Sequence, residues 1–346
     1  MKLLFDKRQR HHDPRHFLSS GAPKPNPEQP ARIDALLAGA ARAGLDRAEV
    51  TDHGAAPIAA VHTGEYLTFL RTIFERWQRI EGGSAEVIPN IHPNGRGISY
   101  PRSAVGQAGY HMADTACPIS ADTWLSAYWS AQSALSACDV VLGGERAAYA
   151  LSRPPGHHAF ADLAGGFCFL NNSAIAARYL SDRGRRVAIV DVDLHHGNGT
   201  QGIFYNCGEI LTVSIHAHSE RYYPFFWGHP QERGEGAGLG ANLNLPIPAG
   251  SGDDIFLGEL ARGIDRVRDF AADTLVIALG LDAFEGDPFG GLAVTTSGFA
   301  RIAAALSDLG LATVIVQEGG YLCPELGDNL ASFLSVWPGC RAKLAG

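Results

Sequence analysis

Short apolar runs alternate with amphipathic stretches along most of this chain. Residues 2–5, 147–151, 186–190, 210–215, 274–279 and 313–316 read as buried strands, the later ones rich in Val, Ile and Leu. Residues 32–43, 65–79, 124–136, 172–180, 254–270 and 298–309 read as helices. Gly44 follows the first as a C-cap, and Gly82-Gly83 stop the second. Residues 11–30, polar and rich in His and Pro, are expected to form a long loop. Residues 84–122 lack periodicity, and a stretch this long serves as a lid, a substrate loop, a subunit contact or a tolerated surface excursion. Strands alternating with helices imply the α/β class: one open, mostly parallel sheet with helices on both faces. Neither a second composition regime nor an internal repeat is visible, so residues 1–346 are read as a single domain with an insert at 84–122.

Composition adds limits. Hydrophobic residues make up 46% and charged residues 18%, the profile of a soluble protein with a large core. A formal net charge of −8 supplies no field for nucleic acid or anionic lipid. The six cysteines (117, 138, 168, 207, 323 and 340) form no C-x-x-C pair and suit a reducing compartment. There is no signal-peptide core and no membrane-spanning run, so the expected location is the cytoplasm.

The polar clusters fall just after the apolar runs, at the strand carboxyl ends where open α/β sheets bind ligands. Asp193-Leu194-His195 follows one run; two residues apart in extended chain, the carboxylate and imidazole face the same way. Asp282 follows another. Two carboxylates and one imidazole with open positions make a catalytic zinc site, although an isolated Asp-x-His also serves as a cap or core ion pair. Arg153-Pro154-Pro155-Gly156-His157-His158 presents two histidines on a stiff turn, suited to acid–base work, with Asp191 and Asn198 as available partners. In Glu318-Gly319-Gly320-Tyr321 the phenol can donate to a developing oxyanion. Gly165-Gly166-Phe167-Cys168-Phe169-Leu170-Asn171-Asn172 supplies an aromatic wall for a narrow channel, or core packing with an Asn cap.

These five motifs, with Asp191-Val192-Asp193-Leu194-His195-His196-Gly197-Asn198-Gly199-Thr200 among them, occur in an order that resembles the histone deacetylase superfamily. The likeness runs from Phe5 to Val336 and is nearest to the bacterial acetylpolyamine amidohydrolases and class II-like deacetylases. Asn198, where other branches have Asp, fits that subgroup. The resemblance implies the arginase–deacetylase fold with an eight-stranded sheet. It implies Zn²⁺ on Asp193, His195 and Asp282, with Fe²⁺ or Co²⁺ also compatible with that donor set. It further implies His158 as general base, His157 as electrostatic partner or acid, and Tyr321 as the electrophilic clamp. Gly166, Phe167 and Tyr223 would line the substrate channel. A structural K⁺ or Na⁺ would lie on main-chain oxygens of Asp191, Asp193 and His195, with Ser214 and Ile215. The implied chemistry is hydrolysis of N-acetyl or related amides of small amines, and the implied assembly is a homodimer through the 84–122 insert. At the positions where the polyamine enzymes carry acidic residues this chain has Val105 and Ala116, with Asp114 two residues out of register.

Competing readings differ at particular residues. A binuclear manganese ureohydrolase needs further bridging carboxylates, but Gly197 and Phe284 stand two residues beyond His195 and Asp282. A non-catalytic member would have lost the tyrosine or the tandem histidines. A protein acetyl-lysine deacetylase and a hydrolase of other small carboxamides keep every motif.

Overall fold

The structure is a computed structural model in which residues 1–93 and 99–338 are described; Cys340 lies outside them. Its strands are β1 (Lys2–Leu4), β2 (His16–Ser19), β3 (Ala22–Pro25), β4 (Asp46–Ala48), β5 (Ala147–Ala150), β6 (Val187–Asp191), β7 (Ile210–Ala217), β8 (Asn242–Ile247), β9 (Thr274–Leu279) and β10 (Ala312–Gln317). Its helices are α1 (Ala31–Arg42), α2 (Ala56–Ala59), α3 (Gly64–Trp77), α4 (Ala104–His111), α5 (Thr123–Leu142), α6 (Asn172–Ser181), α7 (Asn198–Phe204), α8 (Asp253–Asp269), α9 (Thr296–Ser307) and α10 (Leu326–Leu334). Eight strands make one sheet in the order β4-β1-β5-β10-β9-β6-β7-β8, and every neighbouring pair is parallel.

A parallel sheet is stable only when both faces are covered, and the side-chain period of two divides the core accordingly. In β10, Ile315 packs into the layer that holds Leu36 of α1, Phe256 of α8, Phe299 of α9 and Phe333 of α10. Val314 and Val316 point the other way, into the layer with Phe69 of α3, Leu135 of α5 and Ile175 of α6. All the strand carboxyl ends therefore open on one edge.

Several elements depart from the expectations of the sequence. Residues 11–30 are not one loop: they contain the antiparallel hairpin β2–β3. The outer strand Ala22–Pro25 is exposed throughout, so no buried apolar side marks it. The insert, expected to be irregular, holds α4, capped by the Ser103 hydroxyl accepting from Gly106 N, and is pinned at its base where Val87 pairs with Ile119. The edge strands β4 and β8 went unread, the first being three largely exposed residues and the second carrying Asn242, Asn244 and Pro246. The helices α2, α7 and α10 were likewise unread, and α5 continues to Leu142.

The polar N-terminal stretch also reaches the interior. Glu28 Oε1 accepts from Arg32 Nη1 at 2.7 Å and from Arg153 Nε at 2.8 Å, and none of the three side chains exceeds 1% exposure. Burial alone would raise the Glu28 pKa; the Arg153 and Arg32 guanidiniums outweigh it and hold the carboxyl below its usual range. Arg32 in turn donates to the main-chain oxygens of Gly320 at 2.6 Å and Glu318 at 2.8 Å. One buried ion network thus ties the N-terminal segment to the ends of β5 and β10. Glu28→Ala leaves two buried cations without their anion and should lower the free energy of unfolding by about 3–5 kcal/mol, read from urea denaturation.

Candidate active site

Four strands supply the site. Beyond β5 the chain runs through Pro154-Pro155-Gly156 to His157 and His158. Gly156 passes so close to the start of α6 that a Cβ would lie 2.5 Å from Asn172 N and from Leu170 O. Beyond β6 come Asp193 and His195, beyond β9 Asp282, and beyond β10 Gly319, Gly320 and Tyr321. At Gly280 a Cβ would sit 2.1 Å from Asp193 Oδ2, and at Gly319 one would sit 2.4 Å from Asp282 Oδ2. Glycine at these points is a condition for bringing the two carboxylates together.

Asp193, His195 and Asp282 converge. His195 Nδ1 lies 3.2 Å from Asp193 Oδ1 and 3.1 Å from Asp282 Oδ2. Both aspartates are fully buried, and His195 is 9% exposed. Their second oxygens are already bound: Gly319 N donates to Asp193 Oδ2 at 2.8 Å, and Leu194 N to Asp282 Oδ1 at 3.0 Å. Burial pushes the His195 pKa down, but hydrogen bonds to Asp193 and Asp282 outweigh it and raise it to about 9. The pair of anions thus draws positive charge to this point. Donors about 2.0–2.1 Å from a tetrahedral zinc stand roughly 3.3 Å apart, so the spacing and chemistry of the three donors fit a divalent cation.

Among the described residues, a second trio, His157, Cys168 and Glu318, also brings potential ligand atoms within 4.8 Å of one another. Its donors are committed elsewhere. His157 Nδ1 pairs with Asp191 Oδ2 at 2.9 Å. Glu318 Oε2 accepts from Gly156 N at 2.6 Å and His157 N at 3.0 Å, and Oε1 accepts from Ser173 Oγ at 2.7 Å. Burial pushes the Cys168 thiol well up, away from the thiolate a metal needs.

The tandem histidines occupy different environments although their rings are 3.9 Å apart. Against His157, burial is outweighed by Asp193 and Asp191, which raise it to about 10. For His158, burial is reinforced by the charges of His157 and His195, and its pKa falls well below the ordinary value. Its Nδ1–H donates to Asn198 Oδ1 at 2.7 Å, which leaves Nε2 as the basic nitrogen. Tyr321 is 4% exposed. Its ring packs edge-on against Phe289 at 4.6 Å and Phe167 at 5.9 Å, with the Arg32 guanidinium 5.0 Å from its centroid.

A cavity of about 280 Å³ opens onto these groups, with His158, His195 and Tyr321 on its floor and Gly166, Phe167 and Tyr223 among its walls. Gly166 and Phe167 both have positive φ (51° and 67°), and a Cβ at Gly166 would lie 2.5 Å from His158 Cδ2. Tyr223 stands edge-on to His158 at 4.7 Å, and its hydroxyl donates to Asp114 Oδ2 at 2.7 Å. Asp114 also accepts from Gly166 N at 3.1 Å and Ala116 N at 2.8 Å. Two residues out of register in the sequence, its carboxylate nonetheless reaches the pocket wall, beside Ala116. Asp191 and Ser214 are partners in the β6–β7 ladder, and both line a void of about 10 Å³. The Ser214 hydroxyl lies 2.9 Å from His216 Nδ1.

Residues not foreseen also take part. Phe289 faces the His195 ring at 5.5 Å and Phe17 of β2 meets Phe167 at 5.7 Å. Asp287 accepts from Tyr321 N at 2.9 Å, and burial with the charge of Asp282 raises its pKa to about 7. Its place five residues after Asp282 was the available signal. Phe17 offered none, lying in a hairpin read as loop.

Residues 26–337 match the family model described as histone deacetylase domain. The chain is 46% identical over 345 residues to an acetylpolyamine amidohydrolase of Burkholderia pseudomallei, covering 99% of this chain and all of that protein. It is 36% identical over 337 residues to an acetylpolyamine amidohydrolase of Mycoplana ramosa, covering 96% of this chain and 98% of that protein. The crystal structure of acetylpolyamine aminohydrolase from B. pseudomallei matches with a TM-score of 0.95 at 45% identity, over 98% of this chain and 99% of that one. The HDA15 HD domain matches at 0.79 and 29% identity, over 97% and 89%.

Gly319→Ala drives a methyl group between the two carboxylates. Uptake of one equivalent of Co²⁺, followed by its visible absorption, should weaken by roughly 10–100-fold.

Proposed function

The chain belongs to the histone deacetylase family, a metal-dependent class whose metal is generally zinc, and we propose that it cleaves the N-acetyl or related N-acyl amide of small amines, acetylated polyamines foremost. That it is a hydrolase acting on amides follows from the family and its relatives. The observation that carries the finer reading is the opposite setting of two adjacent histidines beside a buried Asp-His-Asp donor set.

Asp193, His195 and Asp282 would hold one zinc ion, with Fe²⁺ or Co²⁺ compatible. Bound there, the ion supplies Lewis acidity for the substrate carbonyl and acidifies a water. His158, neutral and oriented by Asn198, receives the proton of the attacking water at Nε2. The Tyr321 hydroxyl donates to the oxyanion that develops on the former carbonyl. His157, kept cationic by Asp191, stabilises that negative charge, and a protonated histidine of the pair delivers a proton to the leaving amine. The products are a carboxylate and a free amine.

Gly197 supports a single metal. A side chain there would begin 2.3 Å from Asp191 Oδ2, so no further carboxylate fits. The reading includes a structural K⁺ or Na⁺ on main-chain oxygens of Asp191, Asp193 and His195, with Ser214 and Ile215; of these, Asp191 and Ser214 are ladder partners at the ends of neighbouring strands. Asp114 supports a cationic amine: Ala116 N, Gly166 N and the Tyr223 hydroxyl hold its carboxylate in place on the pocket wall. The reading also includes a homodimer joined through residues 84–122 and a cytoplasmic location. No helix among the described residues is long and apolar enough to cross a membrane.

A turnover panel of N-acetylputrescine, N-acetylcadaverine, N-acetylspermidine, an acetyl-lysine peptide and aryl amides tests the assignment. Acetylpolyamines should lead it; preference for the peptide would transfer the activity to proteins. Tyr321→Phe should lose on the order of 10²–10³ in kcat, as for other single oxyanion donors. Asp114→Asn should raise KM for N-acetylputrescine by roughly 10–100-fold, the weight of a hydrogen bond to a charged group, and raise it clearly less for an uncharged N-alkylacetamide.

A further inference from the structure

Glu318 ends β10 as an acidic side chain with no exposure at all, and the chemistry described above does not use it. It points away from the Asp193–Asp282 pair, across the sheet edge toward the turn after β5. One of its oxygens, Oε2, takes the N–H groups of Gly156 and His157, the two residues immediately before His158. The other, Oε1, takes the Ser173 hydroxyl in the first turn of α6. Its own main-chain oxygen is held by Arg32, and the next residue, Gly319, donates its N–H to Asp193. Tyr321 follows two residues later. A single side chain therefore joins the segment that presents the phenol, the segment that presents both imidazoles, and the helix against which that second segment rests.

We infer that Glu318 is a positioning residue, whose reach across the strand ends fixes His157 and His158 relative to Tyr321. The inference rests on the roles proposed above for those three side chains. The requirement is geometric: two converging N–H groups need one oxygen at a set distance, and a second polar atom must meet Ser173. A glutamine satisfies both demands, its amide oxygen accepting from Gly156 N and His157 N while its amide nitrogen donates to the Ser173 hydroxyl. Aspartate keeps the charge but is one methylene short. Alanine supplies neither. Misplacement of a reacting group by about 1 Å is enough to cost on the order of 10²-fold in rate.

The test compares Glu318→Gln, Glu318→Asp and Glu318→Ala with the wild type on whichever acetylated amine it turns over fastest. The expected order is set by reach: the glutamine variant within about tenfold of wild-type kcat, the other two down by on the order of 10²-fold, all with KM within about threefold. Crystal structures should show the 156–158 segment in place in the glutamine variant and displaced in the aspartate and alanine variants, a readout independent of turnover. Full activity with aspartate and loss with glutamine would transfer the role to the charge and overturn the inference. An undisplaced segment in Glu318→Ala would overturn it as well. If the wild type itself cleaves none of the amides, the proposed function has failed, and the displacement of the segment still decides the positioning role.

Discussion

Everything at the carboxyl edge of this sheet answers to one constraint, the burial of negative charge. Asp193 and Asp282 are fully enclosed within reach of a single imidazole, and Asp191, Asp287 and Glu318 are buried close by. Each such ion taken from water costs several kcal/mol unless it is compensated. Compensation comes first from the backbone: N–H groups of Leu194, His195 and Gly319 turn toward the first pair, and those of Phe289 and Tyr321 toward Asp287. An all-parallel sheet suits this task. It brings every strand end, with its irregular backbone, to one side, and the helices that follow start there with their positive ends.

The residual charge is met by one histidine of the adjacent pair. Asp191 and Asp193 hold His157 in its cationic form, and that cation helps keep His158 neutral. The difference between chemically identical neighbours is thus produced by their partners, a carboxylate for one and an amide for the other. Below the floor, the same logic recurs with opposite sign: Glu28 neutralises Arg32 and Arg153, and Arg32 then anchors the peptides that lead to Tyr321.

Much of this was legible because buried strands write themselves as apolar runs and their ends as abrupt polarity. The interior strands β5, β6, β7, β9 and β10 follow that rule, as do the clusters at Asp193, His195, Asp282 and Tyr321, which the fold brings together. The rule fails at edges. The strand β4 is too short and exposed to carry a pattern, and β8 alternates buried positions with asparagine and proline. It also fails where a side chain crosses a long sequence distance. Glu28 reaches Arg153 over 125 residues and Asp114 meets Tyr223 over 109, and neither pairing leaves a local trace. The two-residue offset of Asp114 hid it further, since its place on the wall is fixed by hydrogen bonds from Gly166 and Ala116 that the sequence does not display.

The hairpin β2–β3 stands apart from these constraints. Its inner strand gives Phe17 and Leu18 to the pocket wall, while its outer strand is open to solvent along its length. Floor and rim consequently have unequal freedom to change. The floor is crowded to the point where a single added methyl group collides, whereas the rim can accept insertion or replacement without disturbing the sheet. The strand ends and the entrance are thus separable parts of one pocket: the groups at its floor are fixed by the sheet, and the shape of its mouth is set by a two-stranded ribbon.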